Sequence, residues 1–150
     1  VPYDRSLVLL APGDDVQEAT RRLYRVGFTD FAGWIPRNEG YAEQIRDFEV
    51  LNADEVYEAR TAENALILDV RSQSEYREKH IDGVEHVHYG RLEGHLDELP
   101  RDRKIVVHCA SGRRASIAAG LLENNGFDDV ANFAGDAVSA WEEAGYPVRA

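Results

Sequence analysis

The sequence contains very little cysteine: Cys109 is the single one in 150 residues. One cysteine excludes an intrachain disulfide, and it also excludes the zinc sites that are built from paired cysteines. The chain has no apolar run long enough to cross a membrane, and its first residues lack the pattern of a signal peptide. From these absences we predict a protein of the reducing cytoplasm, with no membrane partner, no metal and no cofactor.

Basic residues are scarce as well. The chain has 17 lysines and arginines against 28 aspartates and glutamates, which gives a formal net charge of −11. Such a charge argues against nucleic acid and anionic membrane surfaces as partners. Arg113 and Arg114 are a local exception, and they predict a small anionic substrate. Methionine is absent even at position 1, so we expect a processed chain or a piece of a longer protein.

Apolar stretches of strand length alternate with helical patterns, which predicts an α/β fold with a mostly parallel sheet. Strands are expected at 7–10, 31–35, 65–70, 105–108 and 130–133. Helices are expected near 16–26, 53–60, 113–125 and 138–144, with shorter helical turns at 75–79 and 92–99. Residues 36–48 are a polar connection, and Trp34 and Trp141 are expected in the core.

Cys109 lies at the junction of an expected strand and an expected helix. A tight loop at such a junction presents backbone N–H groups, and the helix N-terminus adds partial positive charge. Arg113 and Arg114 strengthen the preference for a thiolate, so we predict a nucleophile in a loop that is open to solvent or to an anion. This prediction requires a thiol that solvent reaches. The alternative is a buried cysteine that only fills the core.

The chain also repeats part of its own pattern. Residues 7–11 and 27–32, joined by a helix, parallel residues 105–109 and 126–131. In this alignment Ala11 stands at the place of the cysteine, so the first copy has the fold signals without the nucleophile. A duplicated unit and a chance match of two β-α-β segments are both compatible with the pattern.

Four motifs in residues 65–148 together resemble a known family. They are Leu68-Asp-Val-Arg71, Glu75-Tyr76 leading to His80-Ile-Asp-Gly83, the loop His108–Arg114, and Ala140-Trp-Glu-Glu-Ala-Gly-Tyr-Pro-Val148. In this order and spacing they resemble the rhodanese-like sulfurtransferase domain. The resemblance implies an active α/β domain over residues 46–150, with a central, mostly parallel sheet flanked by helices.

Residues 1–45 resemble the second half of a preceding, inactive rhodanese-like domain. The pair is similar to the C-terminal tandem of persulfide dioxygenase–rhodanese fusions, which implies an upstream metallo-β-lactamase-fold domain in the full-length protein. It is also similar to tandem sulfurtransferases with an inactive first half. Two positions depart from the family pattern. Asp136 follows Gly135 where a second glycine is usual, and Ala115 stands where serine is common. Neither touches the expected nucleophile, so the departures concern the rim of the site.

The resemblance implies sulfur transfer in two displacements. The Cys109 thiolate attacks the outer sulfur of thiosulfate or of a low-molecular-weight persulfide and becomes a cysteine persulfide. An acceptor such as cyanide, sulfite or a thiol then removes that sulfur. The persulfide would be stabilised by the loop residues Ala110, Ser111, Gly112, Arg113 and Arg114. We expect Arg113 to contact the anionic donor and Arg114 to brace the loop against Asp69 or Glu75, with exchanged roles as the alternative.

Four side chains outside the loop are expected to support it: Asp69, Arg71, Glu75 and His80. Asp69 and Arg71 end an expected strand, at the carboxyl edge where α/β sheets place their sites. They either shape the floor of the pocket or form a salt bridge between strand and loop. His80 either lines the pocket or forms hydrogen bonds that hold the turn over residues 81–83.

The other histidines suggest two further roles. His108 precedes the nucleophile, but neighbouring side chains on a strand point to opposite faces, so we expect it to face away. His86, His88 and His95 suggest a metal site. No carboxylate or cysteine completes a convincing ligand set, so no metal is predicted.

Loop length separates sulfur transfer from a related reaction. Four residues lie between Cys109 and Arg114, whereas the similar loop of cysteine phosphatases is one residue longer and encircles a phosphate. The shorter ring suits a single sulfur atom, so a small cysteine phosphatase is the weaker alternative. The main alternative to the enzyme is a non-enzymatic docking or regulatory module of a larger persulfide dioxygenase. The intact loop argues against it, because Ala11 shows what a retired site looks like.

Overall fold

The computed structural model describes residues 5–36, 48–62, 64–133 and 135–150. Contacts within the chain divide it into two units, Val1–Asp47 and Phe48–Ala150. This division lies two residues from the predicted boundary, and the origin of the first unit as half of a preceding domain stays a prediction. The connection predicted over 36–48 falls almost entirely on residues 37–47, outside the described residues. Among the described helices, none is both long and apolar enough to pass through a lipid bilayer.

The described part of the first unit, residues 5–36, is one β-α-β segment. It consists of β1 (Leu7–Ala11), α1 (Val16–Arg25) and β2 (Phe31–Pro36), and the two strands are adjacent and parallel. Trp34 lies on β2 with 43% of its surface exposed, so its predicted place in the core is wrong. Two strands and one helix offer too few neighbours to bury an indole. Its Nε1–H instead donates a hydrogen bond to the carbonyl oxygen of Ala11, at 2.9 Å.

The second unit holds the remaining elements. Its strands are β3 (Glu49–Leu51), β4 (Leu66–Asp69), β5 (His80–Ile81), β6 (Glu85–His86), β7 (Ile105–His108), β8 (Val130–Phe133) and β9 (Val148–Arg149). Its helices are α2 (Ala53–Ala62), α3 (Gln73–Glu78), α4 (Arg113–Asn124) and α5 (Ala137–Glu143), and a 3₁₀ segment covers Tyr89–Glu98. Five strands form one sheet in the order β3-β8-β7-β4-β6, and all its neighbours are parallel. The predicted α/β fold is confirmed.

Hydrophobic side chains of β7 alternate between the two faces of this sheet. Val107 and Cys109 belong to a core cluster with residues of α4 and the 3₁₀ segment. Val106 belongs to the opposite cluster, which contains the fully buried Trp141 of α5. The strand periodicity of two therefore places consecutive side chains in different cores.

Local sequence signals begin the helices next to the site. Asn52 caps α2, because its side-chain oxygen accepts hydrogen bonds from the backbone N–H groups of Asp54 and Glu55. Ser72 and Glu75 form a reciprocal capping box at the start of α3. Since β4, β7 and β8 are parallel neighbours, the segments that follow them meet at one edge of the sheet.

Candidate active site

The loop between β7 and α4 contains backbone N–H groups that have no hydrogen-bond acceptor among the described residues. Cys109 follows the last residue of β7, and Gly112 caps α4 in the left-handed conformation, with φ of 79°. No side chain caps this helix. Within the described part of the chain, the N–H groups of Ala110, Ser111 and Gly112 donate no hydrogen bond to another protein group. Free N–H groups beside an uncapped helix N-terminus favour an anion at this position.

Cys109 itself is buried, with 0% of its surface exposed. Its side chain continues the β7 alternation into the cluster beneath α4, where it packs among Leu68 and Val70. The expectation of a thiol that solvent reaches is therefore wrong for the resting chain, while Ser111 and Arg113 in the same loop are exposed. Only a small reactant, or one that follows local opening of the loop, will reach the sulfur.

Arg114 is held by Glu75. Its two terminal nitrogens each donate a hydrogen bond of 2.7 Å to a different carboxylate oxygen of Glu75. The pKa of Glu75 lies well below its ordinary value, first because of Arg114 and then because Ser72 also donates to it. The pKa of the Arg114 guanidinium is raised, mainly by Glu75 and to a smaller extent by the nearby Cys109 side chain. The bidentate pair joins the start of α4 to the start of α3.

Replacing Glu75 with glutamine should remove a pH-dependent stabilisation. Since the pKa of Glu75 is lowered by folding, its contribution is complete above the ordinary value of 4.5 and is lost as the pH falls below it. We expect the variant to unfold with a free energy about 1 kcal/mol smaller at pH 7, a figure that allows for partial exposure. Urea unfolding at pH 7, 5 and 3 measures the difference in unfolding free energy, which should become smaller as the pH falls. The Glu93→Gln variant is the control, and a Glu75→Gln difference independent of pH would contradict the assignment.

Arg113 has a different environment from its neighbour. Its side chain is exposed, and it forms no hydrogen bond or ion pair with any described residue. Arg114 is bound to Glu75, so the free cation of the loop is Arg113. Glu75 is one of the two partners predicted for Arg114, and the contact of Arg113 with an anionic donor stays a prediction.

Asp69 and Arg71 form a buried ion pair at the end of β4. The Arg71 terminal nitrogen lies 2.6 Å from Asp69 Oδ2, and Nε lies 3.0 Å from both carboxylate oxygens. The exposed fraction is 0% for the Asp69 side chain and 8% for that of Arg71. Arg71 also donates to the carbonyl oxygen of Lys79 at 2.8 Å. The pair therefore links the strand end to the segment after α3, as the salt-bridge alternative predicted.

His108 is buried without a hydrogen-bond partner on either ring nitrogen among the described residues. Its ring lies edge-on to Phe133, which belongs to the core on the side of the sheet opposite Cys109. Burial lowers its pKa to about 4, although Asp69, 3.7 Å away, opposes the shift. Near pH 7 the ring is thus neutral, and it does not form an ion pair with Asp69. Its placement agrees with the prediction that it faces away from the nucleophile.

His80 is held by α3. Its Nδ1 is 2.9 Å from the carbonyl oxygen of Tyr76, and the two rings stack. His80 is therefore a hydrogen-bonded histidine, as one alternative predicted, and its partner lies in the helix that precedes the turn over residues 81–83. His86 stacks on Tyr76 as well and binds the carbonyl oxygen of Arg71 through Nε2.

Two cavities flank the segment that follows β4. The larger, of about 540 Å³, contains no residue of the loop; it is lined by Ser72, Gln73, Glu85, His86, Val87, His88, Arg91, His95 and Glu98. Its three histidines form no metal-binding group with other described residues. The smaller, of about 230 Å³, includes a loop residue; it is lined by Arg71, Glu75, Glu78, Lys79, Ala110, Asp136, Val138 and Ser139.

Sequence reasoning missed most of the smaller cavity. Glu78, Lys79 and Ser139 carry no motif, and they reach the loop only because three strand ends meet there. Asp136 had a signal, since it departs from the usual glycine at that position.

Comparisons with known proteins place the second unit in a family. The family model described as Rhodanese-like domain matches residues 52–144. Thiosulfate sulfurtransferase GlpE of Shewanella oneidensis is 32% identical over 100 residues, which cover 67% of this chain and 98% of that protein. A crystal structure of a rhodanese-related protein from Thermoplasma volcanium is 31% identical with a TM-score of 0.60, and the match covers 68% of this chain and 98% of that one.

Another relative is longer than the matched segment. The putative sulfur carrier protein YrkF of Bacillus subtilis is 41% identical over 70 residues, which cover 47% of this chain and 38% of that protein. The chain therefore spans well under half of this relative, whereas it spans nearly all of GlpE.

Proposed function

Because the chain belongs to the rhodanese-like domain family, we propose that it is a sulfurtransferase that carries a sulfane sulfur on Cys109. In the first displacement the Cys109 thiolate attacks the outer sulfur of thiosulfate, the sulfur–sulfur bond breaks, and sulfite leaves with its electron pair. In the second, a thiophilic acceptor attacks the outer sulfur of the persulfide. The electron pair of the broken bond returns to Cys109 as a thiolate, so the cycle needs no oxidant.

The observation that carries this proposal is the set of free N–H and guanidinium donors in the loop that begins at Cys109. The persulfide is an anion, and so is the donor. The free N–H groups of Ala110, Ser111 and Gly112 can stabilise the persulfide anion, and the free guanidinium of Arg113 can bind the anionic donor. An uncapped start of α4 adds partial positive charge on the same side.

Intact-mass measurement tests the proposal directly. After incubation with thiosulfate or glutathione persulfide, the chain should gain one sulfur atom, and dithiothreitol should remove it. With cyanide as acceptor, turnover should then yield thiocyanate. A chain that is folded by circular dichroism but gains no sulfur from either donor would overturn the proposal. Hydrolysis of a generic aryl phosphate would instead support the phosphatase alternative.

Replacing Arg113 with alanine should weaken binding of an anionic donor. We expect KM for thiosulfate to rise about tenfold with a smaller change in kcat, because a charge-assisted contact to the donor is lost. Steady-state thiocyanate production measures both constants. The Arg103→Ala variant is a matched control, since Arg103 precedes β7 and Cys109 follows it, so the two lie at opposite ends of the strand. Equal changes in the two variants would contradict the role of Arg113.

A second candidate is favoured by one observation, the complete burial of Cys109. In that case the unit is a non-enzymatic docking or regulatory module, serving the metallo-β-lactamase-fold domain expected upstream. A single measurement distinguishes the two candidates, because only the enzyme converts cyanide to thiocyanate. A folded chain that binds thiosulfate without turnover would favour the module.

A further inference from the structure

The smaller cavity beside the loop has an excess of negative charge. Most of its charged lining residues are already paired: Arg71 with Asp69, Glu75 with Arg114, and Lys79 with Glu142. Two lining carboxylates, those of Glu78 and Asp136, have no cation partner among the described residues. The cavity is therefore complementary to a ligand that brings positive charge of its own.

Asp136 is placed for this role by the backbone. It follows β8 and precedes α5, with φ of −81° and ψ of 87°, a conformation that does not require glycine. The left-handed position of this turn is Gly135, with φ of 65°. One carboxylate oxygen of Asp136 accepts a hydrogen bond of 2.9 Å from Ser139 Oγ. The other oxygen has no hydrogen-bond partner among the described residues, so it remains available to a ligand.

The cavity adjoins the loop that carries the nucleophile. Its wall includes Ala110, the residue that directly follows Cys109. Arg113, the free cation of the loop, is not part of this wall. An anionic donor is thus attracted to Arg113, and a cationic reactant is attracted to the side of Glu78 and Asp136.

We propose that this cavity selects the sulfur acceptor, and that the preferred acceptor is a small aminothiol carrying an ammonium group. The inference rests on the proposed function. The acceptor thiolate attacks the outer sulfur of the Cys109 persulfide, whose sulfur–sulfur bond breaks. The acceptor leaves as a persulfide, and Cys109 regains its electron pair as a thiolate. Throughout, the acceptor's ammonium group faces the carboxylates of Glu78 and Asp136 that line the cavity. A volume of about 230 Å³ suits a molecule of this size.

Single-turnover kinetics with three probe thiols test the inference. The chain is loaded with thiosulfate, desalted, and mixed with cysteamine, 2-mercaptoethanol or 3-mercaptopropionate at equal thiolate concentration. Loss of the persulfide is followed by quenched intact-mass measurement. The positively charged thiol should react fastest and the negatively charged thiol slowest. Asp136→Asn should reduce the rate ratio of cysteamine to 2-mercaptoethanol about three- to fivefold, the size expected of a solvent-exposed charge pair.

Comparing the rate ratio of cysteamine to 2-mercaptoethanol in several variants isolates the effect of the carboxylate charge. Intrinsic nucleophilicity differs among the thiols, but it is the same for every variant. Asparagine still accepts the Ser139 hydrogen bond, and Glu78→Gln provides a second, independent removal of charge. Asp128→Asn is the matched control, because Asp128 precedes β8 while Asp136 follows it. Its ratio should equal that of the parent chain.

Two outcomes overturn different claims. Normal persulfide formation, with a cysteamine ratio unchanged in both Asp136→Asn and Glu78→Gln, would overturn the acceptor inference alone. Failure of the parent chain to form a persulfide with any donor would overturn the proposed function, and this inference with it.

Discussion

Replacement of Cys109 by serine should abolish sulfur transfer. A hydroxyl is a far weaker nucleophile than a thiolate at neutral pH and forms no persulfide, so both displacements lose their carrier. We expect thiocyanate production to fall by at least about a thousandfold, with no sulfur gained after incubation with thiosulfate. Intact mass and initial rates with cyanide measure the two effects. Because the chain has no other cysteine, residual transfer above this level would place the chemistry elsewhere.

The first β-α-β unit supplies a matched control for the loop itself. Ala11 ends β1 as Cys109 follows β7, but the five residues after Ala11 contain no arginine, whereas the five after Cys109 include Arg113 and Arg114. Ala11→Cys in the Cys109→Ser background therefore restores a thiol without the surrounding donors. We expect no turnover in this double variant. Turnover equal to that of the parent chain would show that any thiol suffices, and the loop would lose its assigned role.

The strongest predictions from sequence concern elements whose signals are local. The strands at 105–108 and 130–133 and the helix from Arg113 were predicted almost to the residue, because apolar runs and helix-ending glycines mark them. The strands β3, β5, β6 and β9, of two or three residues each, were missed, since so short a segment has no periodicity. The segment Tyr89–Glu98 was predicted as a helical turn over 92–99 and forms a longer 3₁₀ helix.

The same distinction between local signals and long-range packing applies to the residues of the site. The sequence predicts the place of Cys109 after a strand, because an apolar run precedes it. It also offers Glu75 as one of two partners for Arg114. Burial of the Cys109 side chain was not foreseen, since it depends on packing beneath α4. The cavity at Glu78 and Asp136 depends on three strand ends that are distant in sequence.

Replacing Asp69 with asparagine should destabilise the second unit by about 3 kcal/mol or more. Both side chains of the Asp69–Arg71 pair are buried, so the variant leaves the Arg71 guanidinium without a compensating charge inside the protein. The Asp69 carboxylate also accepts a hydrogen bond from the backbone N–H of Arg71 at 2.9 Å, which anchors the turn into α3. Urea unfolding at pH 7 gives the difference in free energy. Arg71→Met added to Asp69→Asn should recover part of the loss, since it removes the stranded cation.

An exposed ion pair provides the control for this effect. Asp102 lies 3.5 Å from Arg103, with 81% of its side chain exposed. Asp102→Asn makes the same chemical change where water compensates for the lost charge, so we expect a loss below about 0.5 kcal/mol. Comparison of the two variants separates the effect of burial on stability from the effect of removing a charge. Equal losses in Asp69→Asn and Asp102→Asn, or a double variant less stable than Asp69→Asn alone, would show that the buried pair does not hold the β4 end in place.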